Sequence, residues 1–433
     1  MPHNSVVVNV NDSLTDARPQ VRAPIVRRPL RVAFFIEGMS DSGVDTSTQL
    51  LAAALRAQGH HVVLFVPWKE RSTAYNHDTV VQLPAVRVSP NQPVYWSVPV
   101  SWSVFERMRH DHFDLIHVHT STTINILAWQ VSSILRLPIV YTYHTMSVEY
   151  IHYLGKLAEA LEDIVNPAIE GYDRIVCNQA NAIVAPSRKA EAYLHQIGVR
   201  PPVTLVPNGV DLRAFRPAPS TYLQELLAIA PDRKILLFVG RLNQEKRPLL
   251  LYDLFKRIHA GEPAALLVMV GTGALHDELS ERIAADGLGD SVRLAGTIAY
   301  TEMPQVYNSA YMWVSTSVSE VHPMVAIESA ACGVPAMAWN DPALDDAVAA
   351  GKSGFIADTE DAFVEASLRL LRDNALREQM GKDAARRAAA FGVDMTAQRM
   401  AALYQTLLAE KGGHALGSAS VRHTQQETPP YAA

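Results

Sequence analysis

Short apolar runs alternate with helical periods along this chain, and the alternation begins a second time after residue 233. LRVAFFI, HVVLFVP, DLIHVH, PIVYTYH, AIVAP and VTLVP read as strands apolar on both faces. Amphipathic segments at 46–58, 123–135, 157–180 and 187–197 separate several of them. Parallel strands need a crossover and a helix supplies it, so this rhythm points to a parallel, doubly wound sheet. The rhythm restarts with KILLFVG, ALLVMVG, SVRLAG, YMWVST and PAMAW. Two α/β domains are expected, joined near VPNGVDLRAFRP, where Asn-Gly and Pro mark a turn and a linker. Three more helices follow, near 359–372, 374–390 and 394–410. The termini, rich in Ser, Pro, Asn, Gln and charge, read as disordered tails over 1–28 and 412–433. Between them the expected units are a first domain over 29–210, a second over 211–393 and a last helix over 394–411.

Composition narrows the function. At 433 residues the chain is long for one core. A net charge of −6 argues against general nucleic-acid binding, and no apolar run is long enough to span a bilayer. Residues 1–205 hold 17 Lys+Arg and 17 Asp+Glu, so the negative charge lies entirely in the remainder. That neutral first half permits membrane contact without a polybasic segment to advertise it. Cys177 and Cys332 form no C-x-x-C pair, which fits a reducing compartment, and the polar N-terminus lacks a signal-peptide pattern. A cytoplasmic location is expected, with the inner membrane face as an option.

Two glutamates carry the strongest chemical signal. Glu320 and Glu328 stand eight residues apart in SVSEVHPMVAIESAACGVP. Pro323 suits a first helical turn, placing Glu320 in the loop before a helix and Glu328 inside it. A helix N-terminus attracts phosphate, and the flanking carboxylates would take hydroxyls on either side. Sugar nucleotides present that order: sugar hydroxyls, diphosphate, ribose hydroxyls. A capping acid and a solvated Glu would give the same spacing. Arg241 and Lys246 follow the strand KILLFVG, and R-x4-K lets two cations converge on one diphosphate. Gly43, between the first strand and first helix, lets backbone N–H groups approach a phosphate. His144 closes a strand, and ligands of open α/β sheets lie at strand carboxyl ends. His117 and His119 share one strand face but lack carboxylates for a metal site, so no metal is expected. Gly271-Thr272-Gly273 is not a dinucleotide fingerprint.

The paired acids followed by SAACGVP resemble the donor-site motif of retaining glycosyltransferases of family four. SGVDTSTQLLAAALRAQGHHV, DLIHVHT, VYTYHT, VAPS, VPNGVD, FVGRLNQEK and VMVGTG resemble the family's other motifs in the same order, over residues 30 to 410. The resemblance implies the α/β GT-B fold: two Rossmann-like, doubly wound parallel-sheet domains facing a central cleft, with a C-terminal helix crossing back to the first. It also implies a nucleotide sugar, UDP-linked, as substrate, with no cofactor and no metal, and front-face departure of the leaving group.

By the same resemblance His144, Glu320, Arg241 and Lys246 are the catalytic set. Gly43, Arg241 and Lys246 would meet the diphosphate, Gly271 would border the donor, and Thr297 and Ile298 would meet the nucleobase. Glu320 would hold the hexose and Glu328 the ribose, with Pro323, Met324 and Val325 between them. VHPM departs from the family, where an aromatic residue with Gly, or a Pro, often stands, and it puts His322 near the sugar. Asp45 is a second departure. The acceptor side includes Asp45, His119, Tyr150 and Tyr153; His119 also reads as structural, and both tyrosines as core helix residues. TYHTMSVEYIHYL resembles the subgroup that glucosylates diacylglycerol. A soluble acceptor alcohol such as an aminocyclitol stays open, and so does an epimerase of the same fold, although E-x7-E with R-x4-K favours transfer.

Overall fold

The computed structural model describes residues 28–37, 43–68, 79–87, 95–149 and 162–421, with side chains omitted for Glu162 and 411–421. In the first domain the elements run β1 (Arg31–Phe35), α1 (Gly43–Ala57), β2 (His61–Pro67), β3 (Val80–Leu83), β4 (Ala85–Arg87), β5 (Tyr95–Ser97) and α2 (Trp102–His110). They continue with β6 (Leu115–Val118), α3 (Thr123–Leu135), β7 (Ile139–Thr142), α4 (Glu162–Cys177), β8 (Ala182–Ala185), α5 (Arg188–Gln196) and β9 (Val203–Leu205). Seven strands pair in the order β3-β2-β1-β6-β7-β8-β9, every pair parallel. β4 and β5 form a separate antiparallel pair.

The alternation of β1 builds two layers, because successive strand side chains point to opposite faces. Ala33 and Phe35 enter the core beneath α2 and α3, with Val104, Met108, Ile124 and Leu127. Val32 and Phe34 enter the opposite core with Leu51, Ala52 and Leu55 of α1. All four strand residues are fully buried, and each large one contributes about 1.5–3 kcal/mol by leaving water.

The second domain repeats the plan with β10 (Lys234–Val239), α6 (Pro248–Gly261), β11 (Ala265–Val270), β12 (Val292–Gly296), β13 (Met312–Ser315), α7 (Met324–Ala331), β14 (Ala336–Trp339) and β15 (Gly354–Ala357). Its parallel sheet has the order β12-β11-β10-β13-β14-β15. Helices α8 (Glu360–Arg372), α9 (Asn374–Ala388) and α10 (Val393–Val421) follow.

Both chain crossings between the domains pair with each other. Val210 N–H donates to Phe391 O at 2.8 Å, and Val393 N–H to Val210 O at 3.0 Å. Gly209 is required there, because a Cβ would lie 2.4 Å from Val393 Cα. Beyond the crossing α10 returns to the first domain, where Ala397, Met400, Ala401 and Tyr404 join the α1 core. Tyr404 Oη lies 2.6 Å from His117 Nδ1, and His117 Nε2 lies 2.7 Å from Thr142 Oγ1. His117 is thus a satisfied core residue. α10 runs on through Val421, past the expected end at 411, so residues 412–421 are helical where a disordered tail was expected.

Candidate functional site

In each sheet the winding reverses beside the first strand of the domain: between β1 and β6, and between β10 and β13. Ligands of open α/β sheets bind in the crevice beyond such strands. In the second domain that crevice is walled by residues 240–246, after β10, and 316–320, after β13.

Hydrogen bonds stitch these two loops together. Thr316 Oγ1 donates to Lys246 O at 3.2 Å and to Arg247 O at 2.9 Å, and Ser319 Oγ to Glu245 O at 3.4 Å. Arg247, at a left-handed φ of 50°, turns the chain sharply before Pro248 opens α6. The result brings Lys246 Nζ to 2.6 Å from Glu320 Oε1. Burial pushes the Glu320 carboxyl up, but the Lys246 ammonium outweighs it and holds the group below the usual carboxylate range. Arg241, 58% exposed, pairs with the buried Glu245 at 3.1 Å and keeps its fork at the cleft. Gly271 has φ +130°, and a Cβ there would lie 2.0 Å from Gly240 O, so its backbone serves the close approach of β10 and β11.

Helix α7 opens on this crevice at Met324. Pro323 stands one position before the helix rather than in its first turn, with its carbonyl accepting from Ala326 N–H at 3.0 Å. Inside the helix Glu328 is buried, and both its oxygens accept tyrosine hydroxyls: Tyr300 Oη at 3.0 Å and Tyr307 Oη at 2.8 Å. Burial pushes its pKa up to about 7 against those two hydrogen bonds.

The first domain supplies the facing wall. Gly43, Val44 and Thr46, at the N-terminus of α1, border the cleft together with His144. A Cβ at Gly43 would meet no atom of the described residues within 4 Å. His144 Nε2 lies 3.1 Å from His119 Nδ1, and burial pushes its pKa down to about 4. His144 is therefore neutral near neutrality and serves as a hydrogen-bonding group. The space between the walls is about 810 Å³, within the range of small-molecule sites.

Gly43, His144, Arg241, Lys246, Gly271, Thr297, Ile298, Glu320, His322, Met324, Val325 and Glu328 all border this one cleft. Pro323, Asp45 and His119 do not. Pro323 caps α7, Asp45 is buried in the first turn of α1, and His119 reaches the cleft only through His144. Tyr150 and Tyr153 lie outside the described residues. No group of three or more His, Cys, Asp or Glu able to hold a metal occurs among the described residues.

Sequence reasoning missed the domain clamp behind the site. Lys189, at the start of α5, donates to Glu320 O at 2.9 Å and to Asp341 Oδ1 at 3.0 Å, and pairs with Glu149 at 2.5 Å. Asp341 in turn accepts from Glu320 N–H at 2.9 Å. Ser187 Oγ donates to Val321 O. The loop that bears Glu320 is therefore held by the first domain. VAPSRK carries no signal of this in one dimension, because the second-domain partners stand more than a hundred residues away.

Two family models match the chain: "Glycosyltransferase Family 4" over residues 42–214 and "Glycosyl transferases group 1" over 223–387. An alpha-monoglucosyldiacylglycerol synthase from Streptococcus pneumoniae is 27% identical over 312 residues, covering 71% of this chain and 70% of the relative. A D-inositol 3-phosphate glycosyltransferase from Thermobispora bispora is 32% identical over 311 residues, covering 68% and 71%. Among solved structures, Anabaena HepE in complex with UDP and glucose superposes with a TM-score of 0.69 at 20% identity, covering 86% of this chain and 98% of that one.

Proposed function

The chain belongs to glycosyltransferase family four and has the GT-B fold, and from that premise we propose that it moves a hexose from a UDP-linked donor to an acceptor hydroxyl. We further propose that the anomeric configuration is retained and that no metal takes part. One observation carries this reading: Lys246, Arg241 and the N-termini of α1 and α7 all border one cleft, between carboxylates suited to hydroxyls. Two cations and two helix dipoles favour a diphosphate there without a bridging ion.

Lys246 carries three N–H donors, so it holds Glu320 and a diphosphate oxygen together. Glu320 is then fixed to receive hexose hydroxyls, while Glu328, on its two tyrosines, takes the ribose diol. The backbone at Thr297 and Ile298 takes the base. In the reaction the acceptor oxygen bonds to the anomeric carbon as the bond to the diphosphate breaks on the same face. The acceptor proton passes to the departing diphosphate oxygen, and UDP leaves with its charge held by Arg241 and Lys246. Neutral His144 orients a sugar hydroxyl from the opposite domain.

For the acceptor we propose diacylglycerol. Trp96, Trp102 and Trp129 are 44%, 72% and 45% exposed, on β5, α2 and α3, and α3 packs against both of the others. Exposed tryptophans on three elements in contact suit a membrane surface, and a diacylglycerol enzyme is among the relatives. No helix among the described residues is long and apolar enough to cross a membrane, so contact would be peripheral, on the cytoplasmic face. A polar acceptor of the inositol phosphate or aminocyclitol kind is the second reading, favoured by the 32% identical relative. Turnover of UDP-glucose with diacylglycerol vesicles, inositol phosphate and aminocyclitols decides between them. Lipid glucosylation with no soluble product is expected; exclusive glycosylation of a soluble alcohol would overturn the lipid reading.

A further inference from the structure

Among the described residues that line the cleft, His322 is a buried polar side chain left without a hydrogen-bond partner. It is 8% exposed, and neither Nδ1 nor Nε2 has a hydrogen-bond partner among the described residues. A neutral imidazole always carries one N–H donor and one lone-pair acceptor, so burial without partners is unfavourable in either tautomer. A core role does not explain it. Its ring contact is Phe391, with centroids 6.0 Å apart, and that ring offers packing only. An apolar side chain would fill the same place at lower cost.

The position is rigid. The residue before it is tied to the first domain by Ser187 and Glu320 by Lys189, while Asp341 of the second domain accepts from Glu320 N–H. The ring borders the cleft at the Glu320 end, in the loop before α7, whereas Glu328 and its two tyrosines lie beyond the start of that helix. A ligand meeting His322 is therefore the transferred sugar rather than the ribose. The imidazole offers one donor and one acceptor to sugar hydroxyls.

We propose that His322 is a specificity-determining residue that reads hydroxyls of the transferred hexose, giving the enzyme a fully hydroxylated hexose as donor and excluding deoxy sugars. This rests on the UDP-hexose reading above. A site whose buried polar groups are matched by a substrate hydroxyl rejects the analogue lacking it, because the group is then left unpaired.

The test compares UDP-glucose with its 2-, 3-, 4- and 6-deoxy analogues in the wild type and in His322→Phe. In the wild type at least one deoxy donor should lose about tenfold or more in kcat/KM. In His322→Phe that loss should shrink to about twofold or less, with affinity for UDP unchanged. The ligand-free variant should melt no lower than the wild type, since two unpaired polar atoms are gone. If Phe does not fit, His322→Ala should show the same collapse. A variant that keeps every penalty of the wild type overturns the assignment. Failure of the wild type to bind UDP-glucose at all, measured by calorimetry, would instead overturn the donor reading and this proposal with it.

Discussion

Glu328 is where a single residue makes the account testable by pH. Its carboxyl is raised by burial to about 7, from the ordinary 4.5 of a glutamate. The sign follows from linkage: a raised carboxyl stabilises the fold below about 4.5 and loses that contribution as pH climbs through 7. Binding runs the other way. Both oxygens already accept one tyrosine hydroxyl each, and a ribose diol adds two more donors, which only the ionised form accommodates fully. UDP-glucose, which has no phosphate titrating in this range, should therefore bind about tenfold more weakly for each unit below pH 7. Glu328→Gln should bind it weakly and without that slope. Calorimetry at pH 5.5, 6.5 and 7.5 measures both; a slope that survives in Glu328→Gln would show that another group titrates.

Residues also mark what a sequence discloses. Glu320 and Glu328 are legible because their spacing across a helix start is local. The Lys246–Glu320 pair spans 74 residues and depends on how two loops meet, so each member is legible and their contact is not. Tyr300 and Tyr307 stand in an ordinary amphipathic stretch, and nothing local announces that both hydroxyls converge on Glu328. His322 is visible as a departure, whereas its lack of partners is a property of the fold alone. Pro323 falls one position early because the helix starts only after it, at Met324.

Among the elements, the central strands were legible and two of the four edges, β3 and β15, were not. LRVAFFI and KILLFVG are long apolar runs, whereas VVQL and GFIA are four residues each and form the sheet edges β3 and β15. Half-buried edge strands lack the continuous apolar signature that announces a central one. Helix α5 has the opposite problem: its amphipathic period is clear, yet its importance lies in the docking of its first turn on the second domain. Lys189 there is 13% exposed, and its partner Asp341 is fully buried. Removing one member of a buried ion pair costs about 3–5 kcal/mol, because the other charge is stranded. Lys189→Met should lower stability on that scale in chemical denaturation. It should leave UDP affinity within about twofold and cut transfer by about tenfold, because it loosens the Glu320 loop without touching the diphosphate. Unchanged transfer in the folded variant would confine the clamp to a structural role.

At the scale of the molecule, two sheets of the same winding face each other across one cleft, and α10 ties the second domain back to the first. Both crossings pair at Val210, and Tyr404 of α10 bonds to His117 beneath His144. The first domain thereby forms one wall of the cleft and, through Lys189 and Ser187, holds the loop that bears Glu320. Such an arrangement suits a reaction that depends on aligning two substrates and stabilising a departing diphosphate, with no covalent nucleophile. The most direct test is the product formed from UDP-α-glucose in excess EDTA, with its anomeric proton read by NMR. An α-linked product is expected, formed at the same rate as with added magnesium. A β-linked product, or turnover that appears only when metal is restored, would contradict it.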